Sequence, residues 1–358
     1  MPPRRSRSRR SRWILLLLAL SVPGAVAAWS LRELDRPGPN AAEIRVEVKP
    51  GSPLRAALQA TADAGALRHP RLLELYSRAL HPSRRVTAGR YALPAGVTPR
   101  ALLAQLEEGR VILESLTIIE GSRYRDLRAA LARHPEVAQT LAGVDDAALM
   151  VRLGLPGVHP EGRFFPDTYK FSSGTTDLDL LRASADRARD ELAAAWDSRA
   201  PDLPLKSPDE LLTLASIVEK ESAREDERDR IAGVFVSRLR LGMRLQTDPT
   251  VIYGIGAAYD GNIRRRDLET DTPYNTYTRA GLTPTPIALP GAAALRAAAQ
   301  PRVTGELYFV ATGEPDGTHR FSRTYDEHQR AVAAMLARQR ALRVAPAAAA
   351  APSLEATR

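Results

Sequence analysis

Cysteine is absent from the 358 residues. That excludes disulfides, zinc–thiolate sites and thiol nucleophiles outright. It does not reveal the compartment, although it suits an exported protein with a good core. Histidine is scarce: six are scattered along the chain and none pair at H-E-x-x-H spacing. A metal site would need ligands from distant segments, so no metal or other cofactor is expected. Acid is missing from the first twelve residues, where Arg4, Arg5, Arg7, Arg9, Arg10 and Arg12 supply six of the nine excess positive charges and leave +3 for the rest. The basicity is a terminal tag rather than a nucleic-acid footprint, and no nucleic-acid partner is expected. Arginine far outnumbers lysine, a compositional bias without structural content. No internal repeat is visible.

The chain does have apolar content of 44%, which supports a packed core, and length for two or three compact units. One long apolar run stands out, "WILLLLALSVPGAVAAWSL", residues 13–31, bracketed by Trp13 and Trp29. It is close to the length of a membrane span, with tryptophans placed as interfacial anchors. The arginines of residues 1–12 would stay cytoplasmic and the rest would lie across the membrane. A cleaved signal peptide fits equally: its apolar core would stop at Pro23-Gly24, and Ala25-Val26-Ala27 matches an A-x-A site. Either way the remainder is exported.

Residues 32–41 hold two prolines and no apolar periodicity, and read as a linker. "IRVEVKPG" alternates like a strand, helical patterns follow at about 53–64 and 70–80, and "TAGRYALPAG" reads as a second strand. That is a small strand–helix–helix–strand unit. The helix after it has Thr98 as N-cap, Pro99 in its first turn and Gly109 at its end. "VILESLTIIEG" opens a larger unit with helices at about 176–198, 208–224 and 226–241. The 208–224 helix has a full start signal: Ser207 as N-cap, Pro208 first and Glu210 completing a capping box. "GELYFVATGEPDGTHRFSR" reads as two strands around a turn, before a helix near 325–342 and an Ala/Pro-rich, disordered tail at 343–358. The fold class expected is α+β: one N-terminal transmembrane helix, a small βααβ domain at 42–109 and a larger mixed α/β catalytic domain at 110–342.

The stretch "LASIVEKESAREDERDR", residues 214–230, begins apolar and then fills with carboxylates. At about 100° per residue, Glu221 lies beside Ile217, Val218 and Leu214, whereas Glu219 points about 160° away. The wheel therefore favours Glu221, with Glu225 one turn on as a facing pair. Desolvation and a like charge both raise a carboxyl pKa, which is what a general acid needs. The bland alternative is a solvated helix end paired with Arg224, Arg228 and Arg230.

Two later segments are more specific. "RLRLGMRLQTDPTVIYGIG" (238–256) places Gln246, Thr247 and Asp248 before Pro249 at a helix start, with Tyr253 beyond. "DLETDTPYNTYTRAGLTPTPIALPG" (267–291) is a long irregular segment carrying Tyr274, Asn275 and Tyr277, a mix of amides, hydroxyls and flat rings that suits sugar recognition or simple turn chemistry.

The segments "LASIVEKES", "RLRLGMRLQTDPTVIYG", "TPYNTYTRAGL" and "LYFVA…GTHRFSRTYDEH" closely resemble the YceG-like (MltG) endolytic murein transglycosylases of bacteria, a likeness covering most of residues 42–342. The resemblance implies a retained membrane anchor, a LysM-like domain at 42–109 and a catalytic domain that cuts nascent peptidoglycan strands. It further implies peptidoglycan as substrate, wall synthases as partners, and a place at the inner membrane with the catalytic domain on the periplasmic side. The second glutamate of the family's E-K-E pattern is catalytic, which carries over to Glu221. One departure is visible: Leu289 stands where the family usually has an asparagine before Pro-Gly. The expected roles are Glu221 as catalytic acid, Gln246, Asp248, Tyr253, Asn275 and Tyr277 as substrate-positioning groups, and Glu225 as tuner of the acid. Rival readings are a non-catalytic, anchored glycan-binding scaffold, a muramidase-type hydrolase, and a serine enzyme using Ser216 and Lys220.

Overall fold

A computed structural model describes residues 9–80, 86–221 and 224–348, with side chains described from residue 21 to residue 341. The chain divides into two compact units, Met1–Ser115 with Lys170–Thr175, and Leu116–Tyr169 with Thr176–Arg358.

In the first unit α1 (Arg9–Asp35) is followed by β1 (Ile44–Val48), α2 (Leu54–Asp63), α3 (Pro70–Leu80), β2 (Gly89–Leu93) and α4 (Pro99–Glu107). The two strands pair antiparallel with Val46 opposite Tyr91 and Ile44 opposite Leu93. This register puts the alternating apolar residues on one face. That face packs with Leu58 of α2, Leu73 of α3 and Leu102 and Leu106 of α4 into one core. The fully buried Tyr91 satisfies its hydroxyl by donating to the Thr87 carbonyl at 2.5 Å. Thr98 caps α4 as its sequence predicts, accepting from the Ala101 N–H.

Helix α1 includes the apolar run of residues 13–31, whose side chains before residue 21 lie outside the described part. Among the described residues no helix is long and apolar enough to cross a membrane. The helix continues to Asp35, into the segment expected to be linker, because Leu34 is buried in the small unit's core.

Strands β3 (Leu113–Thr117) and β4 (Thr168–Ser172) form a two-stranded sheet, and each carries the chain across the division between the units. The second unit contains α5 (Tyr124–Arg133), α6 (Asp146–Arg152), α7 (Asp177–Asp197), α8 (Pro208–Glu221), α9 (Glu225–Arg240), α10 (Asp248–Ile255), α11 (Arg265–Glu269) and α12 (Ala292–Ala299). The hairpin β5 (Tyr308–Ala311) and β6 (His319–Ser322) and then α13 (Tyr325–Ala348) complete it. The last helix thus runs beyond residue 342; residues 349–358 of the expected disordered tail lie outside the described residues.

Helix α8 is the axis of this unit. Every residue from Leu211 to Val218 is buried, because α7, α9 and α12 cover it on several sides. Its start follows the expected signal in part: Ser207 accepts from the Glu210 N–H at 3.3 Å, but the Glu210 carboxylate reaches back one residue further than a capping box, to the Lys206 N–H at 2.6 Å. Small residues allow the close packing around it. Ala294, Ala298 and Ala299 of α12 are fully buried, and α9 carries Gly233 where a Cβ would lie 2.1 Å from the Arg302 carbonyl oxygen.

The helix is described to Glu221, Ser222 and Ala223 lie outside the described residues, and Arg224, the last residue of the predicted helix, is extended. This accounts for the acid-rich stretch. Glu225, Asp226 and Glu227 form the first turn of a new helix, α9, where negative charge is favoured by the helix dipole.

Candidate active site

Glu221 sits at the C-terminal end of α8, half-buried, facing the N-terminus of α10. Its Oε2 accepts a 2.5 Å hydrogen bond from the Thr247 hydroxyl. Thr247 is the N-cap residue of α10, yet its side chain caps nothing; the hydroxyl is given to Glu221 instead. Thr276 holds that N-terminus from behind: its hydroxyl accepts from the Thr247 N–H at 3.1 Å, and its carbonyl accepts from the Gln246 N–H at 3.1 Å. The Thr250 hydroxyl lies 2.9 Å from the Thr276 hydroxyl. Gln246 adopts φ +49°, a left-handed conformation rare outside glycine, and its side chain is exposed.

Burial pushes the Glu221 carboxyl above the usual glutamate range. The Thr247 hydrogen bond opposes this, the nearby Asp248 carboxylate reinforces it, and His319 and Arg238 moderate it. The carbonyl end of α8 acts in the same direction as burial. Glu221 Oε1 has no hydrogen-bond partner among the described residues.

Around the carboxyl, the Tyr277 hydroxyl donates to Asp248 Oδ1 at 2.6 Å, and burial raises its pKa. Arg238 of α9 is buried; its Nε donates to the Leu307 carbonyl and its Nη1 to the Leu245 carbonyl, both at 2.7 Å. It ties the hairpin and the chain entering α10 to one helix. Desolvation holds its pKa below the usual arginine value.

Glu219 serves a different end. Its Oε2 accepts from the Gly291 N–H at 2.9 Å and its Oε1 lies 3.8 Å from Arg228 Nη2. Burial raises its pKa as well, against Gly291 and Arg228 and with help from Glu120. A raised pKa therefore does not separate the two acids; their partners do, since both Glu219 oxygens meet backbone or arginine while Glu221 Oε1 has no partner among the described residues. Leu289, at the departure from the family pattern, is fully buried, and its backbone pairs with Gly121 and Ser122. The site there is dry, and an apolar side chain fills it.

The expected site residues divide. Gln246, Asp248 and Tyr277 gather with Glu221. Asn275 does not present its amide outward: it is buried, donates to the Asp267, Leu268 and Thr270 carbonyls, and accepts from the Tyr277 N–H at 2.8 Å. It builds the loop that carries Tyr277. Tyr253 joins another cluster, donating to Glu161 at 3.1 Å and lying 4.9 Å from both the Tyr274 ring and the Arg123 guanidinium. Glu225 is exposed on α9; the extended Arg224 puts it on a different helix from Glu221, so the one-turn spacing that made the two a facing pair does not hold. Ser216 is fully buried, donating to the Thr213 carbonyl and accepting from the Ile287 N–H, while Lys220 reaches the Gly121 carbonyl, so no serine–lysine pair forms.

Sequence reading placed Thr247 only at a helix start and gave no role to Thr276, Arg238, Glu227, His319 and Glu161. The signal for Thr247 lay inside the quoted "QTDPT"; the others are joined only by tertiary contacts. Volume is no guide here: a cavity of about 830 Å³ between the hairpin and α13, rimmed by Arg320, Arg323, Arg330 and Arg338, does not include Glu221. Among the described residues no group of three or more histidine or carboxylate side chains could hold a metal ion.

The arrangement defines a helix-centred α+β protein with a desolvated carboxyl at the end of its central helix, hydrogen-bonded at one oxygen by a hydroxyl. The chain belongs to the YceG-like family, whose profile matches residues 46–334. It is 34% identical over 261 residues to the endolytic murein transglycosylase of Bacillus subtilis, covering 68% of this chain and 71% of that protein. It is 28% identical over 336 residues to the endolytic murein transglycosylase of Streptococcus pneumoniae serotype 2, covering 81% of this chain and 58% of that protein's length. A crystal structure of a yceG-like protein from Listeria monocytogenes shares the fold, with a TM-score of 0.51 and 28% identity over 81% of this chain and 99% of that one.

Proposed function

We propose that this protein is a membrane-anchored endolytic murein transglycosylase, a lyase that cleaves the bond between N-acetylmuramic acid and N-acetylglucosamine in nascent peptidoglycan strands and leaves 1,6-anhydro ends, so ending glycan elongation. The single observation that carries this reading is Glu221: a carboxyl with a raised pKa, one oxygen oriented by Thr247 and the other open. Family membership and the names of two relatives support it. The Glu221 proton goes to the bridging oxygen as the C1–O bond breaks. The muramoyl 6-hydroxyl then attacks C1 within the same molecule, where effective molarities reach roughly 10⁵ M when the group is well oriented. No water has to be activated, so one carboxyl suffices where hydrolases use two. Glu221, once ionised, is restored by the proton of that hydroxyl. Gln246, Asp248 and Tyr277 position the strand.

The run at 13–31 is the anchor, retained in the inner membrane, with residues 1–12 cytoplasmic and the catalytic unit on the periplasmic side. The small βααβ unit is LysM-like, and wall synthases are partners.

The full-length protein incubated with purified glycan strands should release anhydro-ended fragments, identified by mass spectrometry. Reducing ends carrying oxygen from labelled water would replace this reading with a muramidase. Intact strands that nevertheless bind would replace it with a scaffold.

A further inference from the structure

The cavity of about 830 Å³ between the β5–β6 hairpin and α13 takes no part in the reading above. Arg320 of β6 and Arg323 just after it line the cavity from the hairpin, and Arg330 and Arg338 line it from α13. Two acids share the lining, and both are already engaged. Glu306 accepts from the Arg230 guanidinium at both oxygens and from the Thr304 hydroxyl at 2.5 Å, and the arginine holds its carboxyl below the usual glutamate range. Glu327 accepts from the Arg323 and Thr324 backbone N–H groups at 2.9 and 3.3 Å, which keep it ionised at the start of α13. Arg338 is tied to the β5–β6 loop, to Glu314 at 2.7 Å and to the Thr312 carbonyl at 3.3 Å. Arg320, Arg323 and Arg330 have no carboxylate oxygen within 4.0 Å among the described residues. Beyond these charges the lining is mostly apolar: Phe321 is buried, Ala331 and Met335 are half-buried, and Ala334 lies beside them on α13.

Cations without counter-charges beside apolar surface select the ligand. Guanidinium groups hold carboxylates well, by paired N–H donors. A lone phosphate would fill little of this volume and gain nothing from the ring and methyl surface, whereas a chain of carboxylates and short aliphatic groups uses both. We propose that this cavity binds acidic peptide, namely the carboxylate-bearing peptide branches of the glycan strand, with Arg320, Arg323 and Arg330 on the carboxylates and Phe321, Ala331 and Met335 against the aliphatic groups. The hairpin joins this cavity to the acid. Glu306 lines the cavity, and the carbonyl of the next residue, Leu307, accepts from Arg238, which also donates to the Leu245 carbonyl two residues before Thr247. A branch held here would fix the strand relative to the same frame that orients Glu221.

The identity of the peptide rests on the transglycosylase reading, and the test separates the two. In the first arm, full-length protein is titrated into a fluorescently labelled Ala-Glu-Ala-Ala peptide with free carboxylates, and into its fully amidated form, and anisotropy is read. The free-carboxylate peptide should bind, and the amidated form should bind about tenfold more weakly or not at all. The double variant Arg320→Ala/Arg330→Ala should lose about tenfold in affinity, the scale of one lost charge-assisted contact, with an unchanged melting temperature because both side chains are exposed. Raising the salt should weaken binding to wild type. In the second arm, strands with and without peptide branches are compared as substrates. Wild type should show a KM several-fold lower for branched strands, and the double variant should bring the ratio of the two KM values close to one. Equal binding of the two peptides, a double variant that binds like wild type, or inorganic phosphate displacing the peptide at equal concentration overturns the peptide site. Cleavage with one KM for both kinds of strand overturns the branch assignment while leaving the transglycosylase reading intact. Peptide that binds as expected to a protein that cuts neither strand keeps the site and sinks that reading.

Discussion

The two sides of α8 carry one glutamate each and use them in opposite ways. On the Glu219 side both carboxyl oxygens meet protein, Gly291 N–H and Arg228, and the surrounding loop is dry, with Leu289 and Ile287 buried beneath it. On the Glu221 side one oxygen is held by Thr247 and the other is open, and the neighbours are hydroxyls and charges: Asp248, Tyr277, Arg238 and His319. Burial raises both pKa values. A perturbed acid is thus a poor marker of function when structural packing perturbs it equally. What distinguishes a working acid is unspent hydrogen-bonding capacity next to groups that can hold a substrate.

The largest effect should come from Glu221→Gln. The swap keeps shape and the Thr247 contact while removing the proton, so strand cleavage should fall by about 10³-fold or more, measured as anhydro-product formation. The same variant has a stability signature. A folded-state carboxyl pKa raised above its unfolded value contributes stability below the unfolded pKa, and that contribution is lost as pH rises through the raised one. At neutral pH Glu221 therefore costs stability, and the glutamine variant should melt at the same or a higher temperature than wild type. A lower melting temperature would move Glu221 to the structural side of the comparison.

Leu289→Asn tests the other side. The side chain is fully buried and the backbone groups nearby are already paired, so an amide there finds no partner. The cost should be about 2–3 kcal/mol, read as a lower melting temperature, with turnover per folded molecule kept. Loss of turnover without loss of stability would show that this loop also meets substrate.

Thr247→Val sits between these. Removing the hydroxyl withdraws a hydrogen bond that lowers the Glu221 pKa, so that pKa should climb further. The alkaline limb of the pH–rate profile should shift upward, and loss of orientation should reduce kcat about tenfold. A downward shift would mean that the hydroxyl does not bond the carboxylate form.

Much of this contrast was legible in the sequence because it is local. The capping signal at Ser207–Glu210 fixed the phase of α8, and phase alone put Glu219 and Glu221 on opposite sides. The extended Arg224 between the two helices was not legible, since "SARED" is acceptable helix by composition. Asn275 misled for a related reason: short amide side chains in loops satisfy their own backbone first, and this one uses its donors on Asp267, Leu268 and Thr270. Tyr253 found its partner in Glu161, 92 residues away, and His319 found Glu227 at the same separation; spacing carries no trace of either pair.

The smallest effect, and the sharpest test of the comparison, is Glu219→Gln. The glutamine oxygen can still accept from the Gly291 N–H, so the loop anchor survives, while the charge opposite Arg228 is lost. Arg228 is itself buried, with Nε and Nη1 unpartnered among the described residues, so removing the acid it pairs with should cost some stability. Activity should remain within a few fold of wild type, since no proton reaches the substrate from this side of the helix. The two glutamine variants should therefore separate cleanly, one losing turnover and keeping its melting temperature, the other the reverse. If Glu219→Gln were the inactive enzyme and Glu221→Gln the active one, the open oxygen at Glu221 would be incidental and the substrate would lie along the Gly291 loop.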